Sequence, residues 1–139
     1  MGPTGKSIVL WRKPAKKAIV GNIFILRTMD FYNPFALDVF FKTKFGQAQF
    51  SKYKTGVAFN SLSNDEIKYL LVPIFGERIA THIESEYRRM AVFHDKAMEA
   101  KKGGDDTGYK KNLETSEKIL RDLIVRTEAV IRGDKEDVI

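Results

Sequence analysis

The chain of 139 residues holds two histidines, His82 and His94, and no cysteine, so its stock of soft metal ligands is small. Twelve positions apart on one predicted helix, the two imidazoles lie three turns apart and about 120° around its axis, which keeps them from sharing a metal. The spacing puts His94 on a packing stripe, as a hydrogen-bonded interface residue, and leaves His82 exposed. The acidic pairs Glu84/Glu86, Asp105/Asp106 and Asp134/Glu136 fall on a helix surface, in a hinge and in a tail, and no serine has an obvious basic partner for catalysis. Gly2-Pro-Thr-Gly5-Lys6-Ser7 has two residues between its glycines where a phosphate loop needs four, and it lacks the preceding strand. No constellation for acid–base or nucleophilic catalysis emerges. The expectation is a non-enzyme with no cofactor and no metal.

Asn33-Pro34-Phe35 is close to the Asn-Pro-Pro-aromatic loop with which adenine methyltransferases hold a flipped base. The second proline is missing and no glycine-rich cofactor loop precedes it. It reads instead as a helix start: asparagine caps, and proline at the first position loses nothing by lacking an N–H.

Charge carries more information than any motif. The net charge is +6, and residues 1–60 hold ten Lys/Arg against two Asp/Glu, or +8. Residues 61–139 hold 14 basic and 16 acidic groups, or −2. A polyanion is therefore attracted to the N-terminal half, and the rest reads as a solvated scaffold. With 43% hydrophobic and 30% charged residues, the composition is that of a globular protein. The lack of cysteine rules out disulfides within the chain and fits a reducing compartment. No apolar run reaches membrane-spanning length and no signal pattern opens the chain, so the expectation is a soluble cytoplasmic protein without membrane contact.

The elements that would position these charges follow from periodicity. Residues 7–11 and 18–26 are rich in β-branched and aromatic side chains and read as strands, joined by a basic turn. A helix over 33–45 places Leu37, Phe40, Phe41 and Phe45 toward a core, with Gly46 weakening its end. Residues 55–59 read as a Gly-led strand, Ser63 to Glu66 as a capping box opening a short helix, and 70–74 as a strand that Pro73 confines to an edge. Ile79, Ile83, Tyr87, Met90, His94 and Ala97 then form one continuous helical stripe. A Gly-rich hinge at 101–108 leads to a second helix from about Tyr109 to Arg132. This helix turns Leu113, Leu120, Leu123, Ile124, Thr127, Val130 and Ile131 to one face and stops at Gly133. The predicted fold class is α+β: a small mixed sheet with short helices over residues 1–75, then a long α-helical hairpin over 76–139.

Residues 18–100 resemble the C-terminal part of a target-recognition domain, with its following conserved helix, in the DNA specificity subunits of type I restriction-modification systems. The resemblance runs through residues 23–27, the aromatic helix 33–45, the Gly-led segment 56–59, Leu62-Ser63, Ile67, the apolar segment 71–74 and the long helix from Glu77. It departs at Gly76-Glu77-Arg78, where the family has a glutamine. The stretch ahead of the long helix is also shorter than a full recognition domain, and the second helix is extra. The resemblance implies a non-catalytic module that reads one half of a bipartite target, with a coiled-coil spacer helix. Partner DNA adenine methyltransferase and restriction subunits would supply the chemistry.

Two functional expectations follow. In the first, double-stranded DNA meets Arg12, Lys13, Lys16, Lys17, Lys42, Lys44, Lys52 and Lys54 through its phosphates, and Arg27, Gln47, Gln49 and Asn60 through base edges. In the second, a truncated or split module docks a methyltransferase, a second half-subunit or its own copy without reading DNA. The helical stripes would carry that contact: Ile79, Ile83, Tyr87, Met90 and His94 on one helix, Leu120, Ile124 and Ile131 on the other.

Overall fold

In the computed structural model the described residues are 6–12, 25–52 and 64–139, and they form five helices. The first, α1 (Pro34–Lys42), starts as the sequence requires. The Asn33 side chain accepts hydrogen bonds from the amides of Phe35 (2.8 Å) and Ala36 (3.2 Å), with Pro34 at the first helical position. Phe35, Ala36, Val39, Phe40 and Phe41 are all buried, so α1 is wrapped on most of its circumference rather than along one stripe.

The predicted helix over 33–45 breaks at Thr43. This fully buried residue donates its hydroxyl to the Phe40 carbonyl (2.6 Å) and accepts from the Gly46 amide (3.3 Å), turning the chain into α2 (Lys44–Lys52). Gly46 is needed at this corner. A Cβ there would collide with the Phe40 carbonyl oxygen and the Phe41 Cα. What reads in sequence as a weak helix end is a point of close backbone approach. Phe50 of α2 then packs edge-on against Phe41, with ring centroids 5.3 Å apart.

The predicted mixed sheet is overturned, because the described residues contain no strand. Residues 7–11, 25–26 and 70–74 lie in none, while residues 18–24 and 55–63, which hold the other strand positions and the Ser63 cap, lie outside the described residues. The physical reason is visible at 70–74, where side chains take the backbone groups that a ladder needs. The Gln49 amide accepts from the Leu71 N–H and donates to the Leu71 carbonyl, both at 2.7 Å, in the manner of a strand neighbour. Pro73 has no N–H, and its carbonyl accepts from the Tyr32 hydroxyl. A four-residue α3 (Asn64–Ile67) precedes this segment.

The chain divides into two compact units, a head (Met1–Ile74) and a hairpin (Phe75–Ile139). In the hairpin, α4 (Glu77–Lys102) and α5 (Asp106–Arg132) are joined by three residues, Gly103 to Asp105. α5 begins three residues earlier than predicted because the Asp105 carboxylate accepts from the Gly108 amide (2.9 Å), a cap lying inside the expected hinge. Gly133 ends α5 in the left-handed region (φ 80°), as its position predicts. The pairing is antiparallel: the Ser116 hydroxyl donates to the Met90 carbonyl (3.1 Å), and Arg126, further along α5, reaches back to Glu86 (3.4 Å). The seam buries Ile83, Tyr87, Ala91 and Ala97 of α4 against Ser116, Ile119, Leu123 and Thr127 of α5. Fully burying an aliphatic such as Ile83 or Leu123 contributes about 1.5–3 kcal/mol.

Candidate nucleic-acid interface

The sequence nominates the basic residues of the head as a phosphate-facing surface, and the structure separates them into two groups. Lys42 is engaged internally. Its ammonium donates to Asp38 (2.8 Å), whose side chain is 4% exposed, and to the carbonyl of Ser7. The pair ties residue 7 to α1, and one Asp38 oxygen still lacks a partner, so removing the lysine would leave a buried carboxylate uncompensated. Gln47 likewise donates to the Phe41 carbonyl across the Thr43 corner, and Gln49 holds Leu71. These three side chains stitch the head together. The Asp38–Lys42 spacing of four is a signal that the sequence does carry, whereas the backbone acceptors of Gln47 and Gln49 have no signature in the polarity pattern.

Arg12, Arg27, Lys44 and Lys52 are exposed. Arg12 stacks its guanidinium over Trp11 (5.2 Å), whose ring in turn lies 5.4 Å from Phe35 of α1, so this cation is carried on a path back to the core. Lys44 sits over the Phe45 ring at 5.5 Å. Lys6 and Lys68 are further exposed cations of the same unit that were not among the nominated phosphate contacts. Lys13, Lys16, Lys17, Lys54 and Asn60 lie outside the described residues.

The head also presents large apolar side chains to solvent. Met29, Phe31, Leu71 and Ile74 are each 71–83% exposed, on the two segments that the Tyr32–Pro73 hydrogen bond joins. Burial pushes the Tyr32 phenol up to about 12, which keeps that donor protonated. Hydropathy alone assigned residues 70–74 to a sheet, where Leu71 and Ile74 are instead exposed.

The hairpin residues nominated for packing also divide. Ile83 and Tyr87 are buried in the seam, Ile79 and Met90 are half-buried, and so are Leu120, Ile124 and Ile131 of α5. The α5 seam runs along Ser116, Ile119, Leu123 and Thr127: Leu123 and Thr127 belong to the predicted face, and Ser116 and Ile119 extend it on the side away from Leu120, Ile124 and Ile131. Small residues on both helices (Ala91, Ala97, Ser116) let the backbones approach there. The histidines exchange their expected places. His94 is exposed, whereas His82 is half-buried with Nδ1 2.9 Å from Asp137. Glu86 is held below the usual carboxylate range by a hydrogen bond from Arg89, with Arg126 adding to it across the seam.

Among the described residues no group of three or more His, Asp or Glu side chains is placed to hold a metal ion, and no helix is long and apolar enough to cross a membrane. Comparison of the chain with protein families, curated proteins and solved structures yields no match.

Proposed function

We propose that the chain is a non-catalytic DNA-binding module whose head contacts a duplex through its phosphates, of the kind that directs methyltransferase and restriction subunits to a target in type I restriction-modification systems. The observation that carries this reading is the partition of charge along the structural boundary. The head holds eleven Lys/Arg against four Asp/Glu, net +7, and the hairpin 13 against 14, net −1. A field confined to one unit steers that unit toward a polyanion and leaves the helices as a neutral arm. Arg12, Arg27, Lys44 and Lys52 are the residues that would meet phosphate. The engaged amides of Gln47 and Gln49 leave Arg27 as the base-edge candidate among the described residues.

The test is duplex binding across ionic strength. With six or so phosphate contacts, affinity falls about 10³-fold between about 50 and about 200 mM salt, and a flat curve would sink the electrostatic claim. Replacing Lys52 or Lys44 by alanine should weaken binding and flatten the slope. Lys42→Ala should instead destabilise the head.

The exposed apolar surface of the head favours a second reading, a split module that docks a methyltransferase or a second half-subunit without reading DNA. Under it, Leu71→Ser or Phe31→Ser abolishes complex formation with a purified methyltransferase subunit in light scattering, and the lysine variants leave it intact.

A further inference from the structure

We propose that residues 133–139 form a latch that closes the open end of the hairpin, with the Asp137 side chain as its anchor and Val138 as the group it seats. Burial along the segment is re-entrant. Gly133, Asp134, Lys135 and Glu136 are exposed, Asp137 is half-buried and Val138 is 1% exposed. A frayed helix end would grow steadily more exposed instead.

The chemistry that holds the segment is concentrated on one carboxylate. Arg78 and His82, one turn apart on α4, both reach Asp137: Arg78 Nε lies 2.9 Å from Oδ2, and His82 Nδ1 lies 2.9 Å from Oδ1. The Val138 amide donates to the same Oδ1 at 2.7 Å. The carboxylate thus grips the first turns of α4 and fixes the backbone of the residue that is to be buried. Gly133 sets the direction: its left-handed conformation reverses the chain at the end of α5, and the amides of Asp134 and Lys135 close onto the Ala129 carbonyl. The connection at 103–105 holds the opposite end covalently. The start of α4 and the end of α5 have no such link, and the latch supplies one.

Amide hydrogen exchange on the full chain tests this inference, which is independent of any DNA or partner binding. Val138→Asp should accelerate exchange over residues 78–83 and 126–132 by about tenfold or more, with less than about twofold change over 92–98 and 112–118. Asp137→Asn should do the same more weakly. His82→Ala should add little in the Asp137→Asn background, because both changes break one contact. A rise spread evenly over both ends of the hairpin, the pattern expected of Leu123→Ala, overturns the latch. So does an unchanged exchange map in Val138→Asp, and additive effects of the His82 and Asp137 changes overturn the role of the carboxylate.

Discussion

Single side chains in this protein do structural work that their types do not announce. Gln49 offers both halves of its amide to the backbone of Leu71, and Gln49→Glu would remove the donor and set a carboxylate beside a carbonyl oxygen. A loss of about 1 kcal/mol is expected, read as a lower denaturant midpoint for the head, because the site is exposed enough for water to compensate in part. Thr127 presents the opposite case. It is fully buried in the seam and its hydroxyl has no hydrogen-bond partner, so Thr127→Val should stabilise the hairpin by about 1 kcal/mol, seen as a higher melting temperature.

Titration at Asp137 and Tyr32 gives two pH dependences of opposite sense. Asp137 is pulled below the usual carboxylate range by its hydrogen bond from His82, with Val138 and Arg78 contributing. A depressed folded value means that the latch contributes stability above the unfolded carboxylate range and loses it as the pH falls through the folded one. Protection of the latch end, taken relative to the intrinsic exchange rate at each pH, should therefore fall in acid, below about pH 4, and Asp137→Asn should remove part of that fall. Tyr32 works in the other direction. With its phenol raised to about 12, the folded head binds the proton more tightly than the unfolded chain, so its stability should decline between about pH 10 and about pH 12. Tyr32→Phe should remove that decline, measured by denaturation at stepped pH.

At the scale of elements, two glycines mark where helices must turn or stop. Gly46→Ala forces a methyl into the α1 backbone and should cost about 1–3 kcal/mol or open the Thr43 corner, with loss of helical circular dichroism as the readout. Gly133→Ala meets open space but a positive φ, so the cost should be only about 1 kcal/mol. Caps were legible in the sequence where the capping residue and its target are close along the chain. Asn33 before Pro34 and Gly133 after Arg132 are such cases. The α1–α2 corner was not legible, because a glycine admitting a neighbouring turn and a glycine ending a helix look the same. The strands expected at 7–11 and 70–74 failed for a related reason: β-branched and aromatic residues mark a segment able to pair, and whether a side chain pre-empts the pairing depends on what lies opposite.

For the whole molecule, binding and stability should separate along the structural boundary. Alanine at Lys44 or Lys52 should lower duplex affinity at low salt while the hairpin melts unchanged. Leu123→Ala should cost the hairpin about 2–5 kcal/mol through a seam cavity, and under the proposed function it should leave duplex affinity unchanged.

By itself the sequence determined the two long helices, their connection, the helix start at Asn33 and the stop at Gly133, and the concentration of positive charge before residue 75. These properties follow from local spacing, local caps and counts of charged groups. Tertiary structure alone decided that Lys42, Gln47 and Gln49 face inward, that the head's described segments form no sheet, and that the α5 seam takes in Ser116 and Ile119. It also decided that His82 rather than His94 is engaged, and that Asp137 returns to meet it. In each of these cases the partner lies far along the chain or is a backbone group. A residue's type fixes which bonds it can make, and the fold fixes which of them come within reach.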